Sequence, residues 1–185
     1  MERLKELQLE ANRCLGCKNA RCSNNCPIST PIPQIINLFK DERIQEAGEI
    51  LFENNPLSFV CSIVCPHERQ CYGNCIRGIK GESIRFYEIE KYISKRYLEN
   101  TSLKVNKKLD EKVAIIGGGP AGISVAFNLA LKGYDVTIFE KNQQLGGVLR
   151  YGIPNFRLDK EIITLIENKL SQLGVKIRNN VSILE

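Results

Sequence analysis

The stretch Cys14-Leu15-Gly16-Cys17-Lys18-Asn19-Ala20-Arg21-Cys22-Ser23-Asn24-Asn25-Cys26-Pro27 carries four cysteines separated by two, four and three residues. A second group, Cys61-x3-Cys65-Pro66 followed by Cys71-x3-Cys75, supplies the other four, and no cysteine follows position 75. Tight loops of this kind wrap several thiolates around one face of a cluster. A distant residue closes the last corner, and a final Cys-Pro commonly ligates a neighbouring cluster. Eight thiols in two such groups fit two [4Fe–4S] clusters. Structural zinc is the alternative, although zinc favours paired Cys-x2-Cys segments and only Cys14–Cys17 has that spacing. On spacing alone a zinc-stabilised interaction domain stays open.

Disulfides fit less well. Residues 1–13 are charged and amphipathic, with no apolar run leading to a cleavage site, so the chain is expected to stay in the reducing cytoplasm. Its longest apolar runs, such as Val113–Ile116, are too short to cross a bilayer. The net charge of +5 is scattered rather than gathered into basic runs, so neither a membrane nor nucleic acid is expected as a partner.

Around the cysteines the pattern is helical. Leu4, Leu7 and Ala11 predict a helix over 2–12. Thr30 before Pro31 predicts a helix start capped by Thr30, followed by an apolar face of Ile32, Ile35, Ile36 and Phe39. A further helix over Ile44–Glu53 should stop at Asn54-Asn55-Pro56. The longest pattern covers 82–98, with Phe86, Ile89, Ile93 and Tyr97 on one face, and no segment of this half reads as a strand. His67, the only histidine, is read as a loop residue rather than a ligand.

Residues 99–110 are polar and aperiodic and read as a linker. Beyond them Val113-Ala114-Ile115-Ile116 runs into Gly117-Gly118-Gly119-Pro120-Ala121-Gly122, a helical pattern reaches Lys132, and Val136–Phe139 reads as a second strand. This is a βαβ unit with a dinucleotide fingerprint. Gly117 permits the tight turn, Gly119 lets a pyrophosphate approach the backbone, and Gly122 lets helix and strand pack closely. The helix N-terminus stabilises phosphate charge. Glu140, 23 residues after Gly117, is expected to bind the adenosine ribose hydroxyls and to repel a 2′-phosphate. FAD and NAD both fit. A helix over Asp159–Leu173, capped by Gly174, should lead to a strand over Val175–Arg178.

Cys14–Pro27, Asn55-Pro56-Leu57-Ser58-Phe59-Val60-Cys61-Ser62-Ile63-Val64-Cys65-Pro66 and Cys71-Tyr72-Gly73-Asn74-Cys75-Ile76-Arg77-Gly78 resemble the N-terminal helical ferredoxin domain of glutamate synthase small subunits. A similar domain opens dihydropyrimidine dehydrogenase and the large subunit of NADH-dependent ferredoxin:NADP oxidoreductases. The resemblance implies two [4Fe–4S] clusters with interleaved ligands: Cys14, Cys17, Cys22 and Cys75 for one, and Cys26, Cys65, Cys71 and Glu90 for the other. Cys61 would then be a small buried thiol and not a ligand. Glu90 also falls on the Phe86/Ile93/Tyr97 stripe, where a carboxylate needs a partner.

The same resemblance extends to Gln144-Leu145-Gly146-Gly147-Val148 and Tyr151-Gly152-Ile153-Pro154-Asn155-Phe156-Arg157-Leu158, and it implies FAD. Its contacts would be Gly117, Gly118, Gly119, Pro120, Ala121, Gly122, Glu140, Lys141, Leu145, Gly146, Gly147, Val148 and Arg157, with Val64 reaching it from the cysteine region. The expected fold is an α-helical ferredoxin-like two-cluster domain over 1–98, the linker, and over 111–185 an incomplete α/β Rossmann-like FAD/NAD(P)-binding domain. The implied function is electron transfer within an NAD(P)H-dependent flavin and iron–sulfur oxidoreductase. NADPH would bind outside this segment, and the partner would be a larger subunit or the remainder of a longer polypeptide. A ferredoxin-like adaptor without a flavin site is the competing reading. No side-chain acid, base or nucleophile is expected to be catalytic.

Overall fold

The computed structural model describes residues 2–105 and 107–183. The chain divides into two compact units between Tyr97 and Leu98.

The first unit is helical. Helix α1 spans Glu2–Asn12, α2 Arg21–Asn24, α3 Ile32–Lys40, α4 Ile44–Asn54, α5 Ser58–Val64 and α6 Phe86–Asn100, with one-turn 3-10 helices at His67–Arg69 and Ile76–Ile79. Their apolar stripes meet in one core: Leu7 and Ala11 of α1, Ile35, Ile36 and Phe39 of α3, Leu51 of α4, and Ile89 and Ile93 of α6. The spacing seen in the sequence thus maps onto buried faces. Polar contacts join the helices at their edges. Gln8 Nε2 donates to the Phe39 carbonyl at 2.9 Å, and the hydroxyls of Ser58 and Ser94 bond at 2.9 Å to tie α5 to α6.

Two helix starts differ from the sequence expectation. Thr30 does not cap α3; Pro31 is the N-cap and makes no side-chain cap bond. The Thr30 hydroxyl instead donates to Asn54 Oδ1 at 3.2 Å and lies 3.3 Å from Cys26 Sγ, so a long-range contact takes the group a cap would use. The last helix begins at Phe86 rather than near position 82. Buried Glu10 accepts the Arg85 backbone N–H at 2.8 Å, and Arg13 donates to the Glu82 carbonyl at 2.7 Å. The backbone of 82–85 is thereby spent on α1. Helices α2 and α5 were not anticipated, being too short to show a period.

The second unit holds a parallel sheet in the order β1 (Lys112–Ile116), β2 (Asp135–Glu140), β3 (Lys176–Asn179). Val113 pairs with Val136 and Ile138 with Ile177. Helix α7 (Pro120–Leu131) crosses from β1 to β2; α8 (Val148–Tyr151) and α9 (Lys160–Gln172) lie between β2 and β3. Ile123, Ala126 and Phe127 of α7 and Ile163, Ile166 and Leu170 of α9 are buried along with Val136 and Ile138. Asp159 caps α9 by accepting the Glu161 N–H at 3.0 Å. Gly174, at φ +82°, ends it with the Val175 N–H bonded to the Leu170 carbonyl, as the sequence led one to expect.

Phe127 is fully buried, whereas Val125 on the same helix is 47% exposed. Phe127→Ala is expected to cost the second unit about 3–5 kcal/mol. Val125→Ala should stay within about 0.5 kcal/mol. Denaturant midpoints of the two variants make the comparison.

Candidate cluster and dinucleotide sites

Two cysteine-lined cavities lie in the first unit. The first, of about 90 Å³, is lined by Cys14, Cys17, Cys22, Cys71 and Cys75 with Ile32, Ile36, Ile84 and Phe86. Cys14 follows the last turn of α1, its N–H bonded to the Ala11 carbonyl at 3.0 Å. Gly16, at φ +61°, reverses the chain towards Cys17; Cys22 lies on α2, and Cys75 precedes the second 3-10 turn. Burial pushes the Cys22 thiol up, and the neighbouring Cys75 and Cys14 add to the shift.

The second cavity, of about 110 Å³, is lined by Cys26, Cys61, Cys65, Cys71 and Glu90, with Thr30, Ile32, His67 and Phe86 among its other walls. Cys65 caps the C-terminus of α5, its N–H bonded to the Cys61 carbonyl. Asn55 Nδ2 donates to Cys61 Sγ at 3.2 Å. The His67 carbonyl accepts the N–H groups of Gln70, Tyr72 and Gly73 and so shapes the turn that delivers Cys71. The sequence suggested a loop position for His67, but its ring is buried. It stacks on Tyr87 at 4.4 Å, and Nε2 lies 3.2 Å from the Cys61 carbonyl. Neither Asn55 nor His67 was singled out for this work; their partners are distant in the fold and leave no local pattern.

The electrostatics of the second cavity are one-sided. Burial pushes Cys61 up to about 11 and Cys71 up to about 12, with Glu90 adding to both. Glu90, 7% exposed, is raised to about 8 by burial alone. Among the described residues, no lysine or arginine lines this cavity. Four thiols and a carboxyl gathered in an apolar space without a cationic side chain suit a positively charged guest, which would deprotonate them.

Among the described residues, no three His, Cys, Asp or Glu side chains converge closely enough to hold a single metal ion. A tetrahedral zinc draws thiolates to about 3.8 Å from one another. A cubane gives each thiolate its own iron, so its donors ring a space rather than meet at a point, and the cysteines here line the walls of two cavities. The donor set and the cavities therefore fit clusters.

In the second unit the glycine loop has the geometry of a phosphate cradle. Gly117 takes φ +96°, and a Cβ on Gly122 would lie 2.0 Å from the Gly117 carbonyl oxygen. A Cβ on Gly119 would meet nothing nearer than Gly147 Cα at 4.0 Å. Gly119 thus needs no glycine for packing; the space beside it is free for a ligand. The N-terminus of α7 opens there, with Pro120 in its first turn and Ala121 exposed.

Glu140, buried at the end of β2, accepts the Gly118 N–H at 2.7 Å through Oε2. Its Oε1 accepts the backbone N–H of Asn142 at 2.8 Å and the Asn142 side-chain amide at 2.7 Å. Leu145-Gly146-Gly147 folds back on the loop, with the Gly146 N–H bonded to the Gly118 carbonyl at 2.7 Å. Leu145 is buried; Lys141, Val148 and Arg157 are exposed. Val64, the last residue of α5, belongs to the first unit.

Helices around two cysteine-lined cavities, followed by a glycine-loop βαβ unit, define an iron–sulfur domain joined to a Rossmann-like nucleotide-binding domain. Residues 2–102 match the family described as dihydropyrimidine dehydrogenase domain II, 4Fe-4S cluster, and the chain belongs to that family. Residues 115–173 match an NAD(P)-binding Rossmann-like domain. The chain is similar to the glutamate synthase [NADPH] small chain of Escherichia coli, at 34% identity over 181 residues covering 96% of this chain and 38% of that protein. It is 37% identical over 177 residues to the NAD-dependent dihydropyrimidine dehydrogenase subunit PreT of Salmonella typhimurium, covering 94% of this chain and 43% of that one. The glutamate synthase [NADPH] small chain of Azospirillum brasilense is 33% identical over 179 residues, 94% of this chain and 37% of its own. The chain thus spans roughly two fifths of the length of these relatives. No helix among the described residues is long and apolar enough to cross a membrane.

The open space at Gly119 separates ligand binding from folding. Gly119→Ala is expected to leave thermal stability within about 0.5 kcal/mol. It should weaken ADP at least about tenfold by isothermal titration, because the methyl group enters the pyrophosphate approach. Gly122→Ala, which meets backbone, should lower stability and binding together.

Proposed function

We propose that this chain is the electron-transfer module of an NAD(P)H-dependent flavin and iron–sulfur oxidoreductase of the glutamate synthase small-subunit kind. One observation carries the reading: the two cavities mix the sequence groups. Cys75 joins Cys14, Cys17 and Cys22 around the first, and Cys26 of the first group joins Cys65, Cys71 and Glu90 around the second. These two sets are the proposed cluster ligands. Interleaving of this sort makes the two sites fold as one unit, because neither cysteine loop can close a site alone.

When bound, two [4Fe–4S] clusters supply one-electron carriage and FAD supplies the exchange between electron pairs and single electrons. The protein's part is to hold and tune them. Four thiolates would hold the first cluster, and three thiolates with the Glu90 carboxylate the second; Ile32 and Phe86, which line both cavities, keep water out. Gly117–Gly122 and the α7 N-terminus would take the FAD pyrophosphate. Glu140 would take the ribose, and its charge disfavours a 2′-phosphate there. Lys141, Leu145, Gly146, Gly147, Val148 and Arg157 complete the flavin-side surface, with Val64 assigned to the flavin from the cluster domain. NADPH would bind outside this segment. The partner is a larger oxidoreductase subunit or the remainder of the same polypeptide, in a reducing cytoplasm that keeps the thiols free.

The test is anaerobic reconstitution with iron and sulfide. About eight iron and eight acid-labile sulfide per chain are expected, in a brown protein. A colourless protein that keeps about two zinc per chain under the same treatment would sink the proposal.

A further inference from the structure

The second cavity offers five donors to a guest with four ligand positions. Cys26, Cys65, Cys71 and Glu90 are the assigned set; Cys61 lines the same space. We propose that Cys61 is an alternate ligand for the iron held by Glu90, so that this iron exchanges a carboxylate for a thiolate without loss of the cluster. The proposal rests on the cluster reading above and adds to it a second ligation state.

Three observations place Cys61 for this role. It lies one helical turn before Cys65, with the Cys65 N–H bonded to its carbonyl, so the two residues share a helix face and both reach the cavity. Cys26, Cys71 and Glu90 line the same cavity. Its sulfur accepts from the Asn55 side-chain amide at 3.2 Å, and Asn55 Oδ1 in turn accepts the Leu57 N–H at 3.0 Å. The backbone below is firmer, since His67 Nε2 lies 3.2 Å from the Cys61 carbonyl while the His67 ring stacks on Tyr87. Rotation about the Cys61 Cα–Cβ bond would move the sulfur at the expense of the Asn55 bond while the helix stays in place.

Glu90 is the weak member of the set. It comes from α6, whereas Cys61 and Cys65 come from α5. Iron in a sulfide cluster is better matched by soft thiolate than by carboxylate oxygen. The exchange balances without an oxidant or reductant. One iron–oxygen bond breaks and one iron–sulfur bond forms, and the proton leaving the Cys61 thiol passes to the released Glu90 carboxylate.

The experiment compares the full chain with Glu90→Ala, Cys61→Ser and the double variant, each reconstituted anaerobically. Iron is counted, and electron paramagnetic resonance is recorded after dithionite reduction. Wild type and Cys61→Ser should give about eight iron and the same two signals. Glu90→Ala should keep about eight iron, with the second cluster's signal moved by thiolate ligation. The double variant should lose the second signal and hold at most about seven iron, the first signal unchanged. If Glu90→Ala alone falls to the level of the double variant, or if the double variant keeps the moved signal, Cys61 is not the alternate ligand. Should the double variant fail to fold, Glu90→Leu with Cys61→Ser fills the cavity and is read in the same way. Wild type without iron would overturn the cluster reading itself, which keeps the two failures apart.

Discussion

Burying anionic donors in an apolar space is the constraint on which the first unit depends. A thiolate or carboxylate taken out of water is costly unless a positive charge stays beside it. Among the described residues the second cavity has no lysine or arginine to do so, and burial displaces Cys61, Cys65, Cys71 and Glu90 towards their neutral forms. The helices around it cannot therefore be understood as an ordinary core with some sulfur in it. Ile32, Cys71 and Phe86 line both cavities, so α3, the Cys71 turn and α6 form a partition with a site on either side. A charged guest on one side would stiffen the wall of the other and so couple the stability of the two sites.

How far this was legible from sequence depends on the length scale of each feature. The three strands and the long helices follow from periodicity, since Ile35, Ile36 and Phe39, or Ile89 and Ile93, recur at spacings only one kind of element buries. The glycine loop was legible for another reason: Gly117 and Gly122 answer to local backbone geometry, and local geometry is written in adjacent residues. Features set by long-range polar contacts were not legible. Thr30 carries an N-cap pattern, yet its hydroxyl goes to Asn54. The backbone of 82–85 has a helical pattern, yet Glu10 and Arg13 capture it. Asn55 and His67 shape the second cavity through partners that no spacing rule connects to them.

The two units treat charge in opposite ways. The first gathers thiols and a carboxyl around a second cavity that, among the described residues, no lysine or arginine lines. The second aims backbone N–H groups at an open space, with a single buried carboxylate, Glu140, fastened beneath them by Gly118 and Asn142. A carboxylate offers about four acceptor positions, and three are used within the chain. Glu140 thus organises the loop first; any hydroxyl it takes from a ligand adds to, or displaces, those bonds.

Glu10 links these considerations to the placement of Glu90. Its buried carboxylate accepts from Arg13 at 2.7 Å and from the Arg85 N–H, the residue just before α6. Burial alone would push this carboxyl up, but those hydrogen bonds and the two guanidinium charges together hold it below the usual range, so it stays ionised. An ionised acceptor at that point fixes where α6 begins. Each residue of a helix turns it by about 100°. Starting one residue earlier or later would therefore carry Glu90 off the cavity and bring a neighbour, Ile89 or Lys91, towards it. A buried lysine would repel the guest that a buried glutamate attracts. With the proposed ligand set, the register of α6 is a chemical choice as much as a packing one, and Glu10, paired with Arg13 just beyond α1, helps to make it.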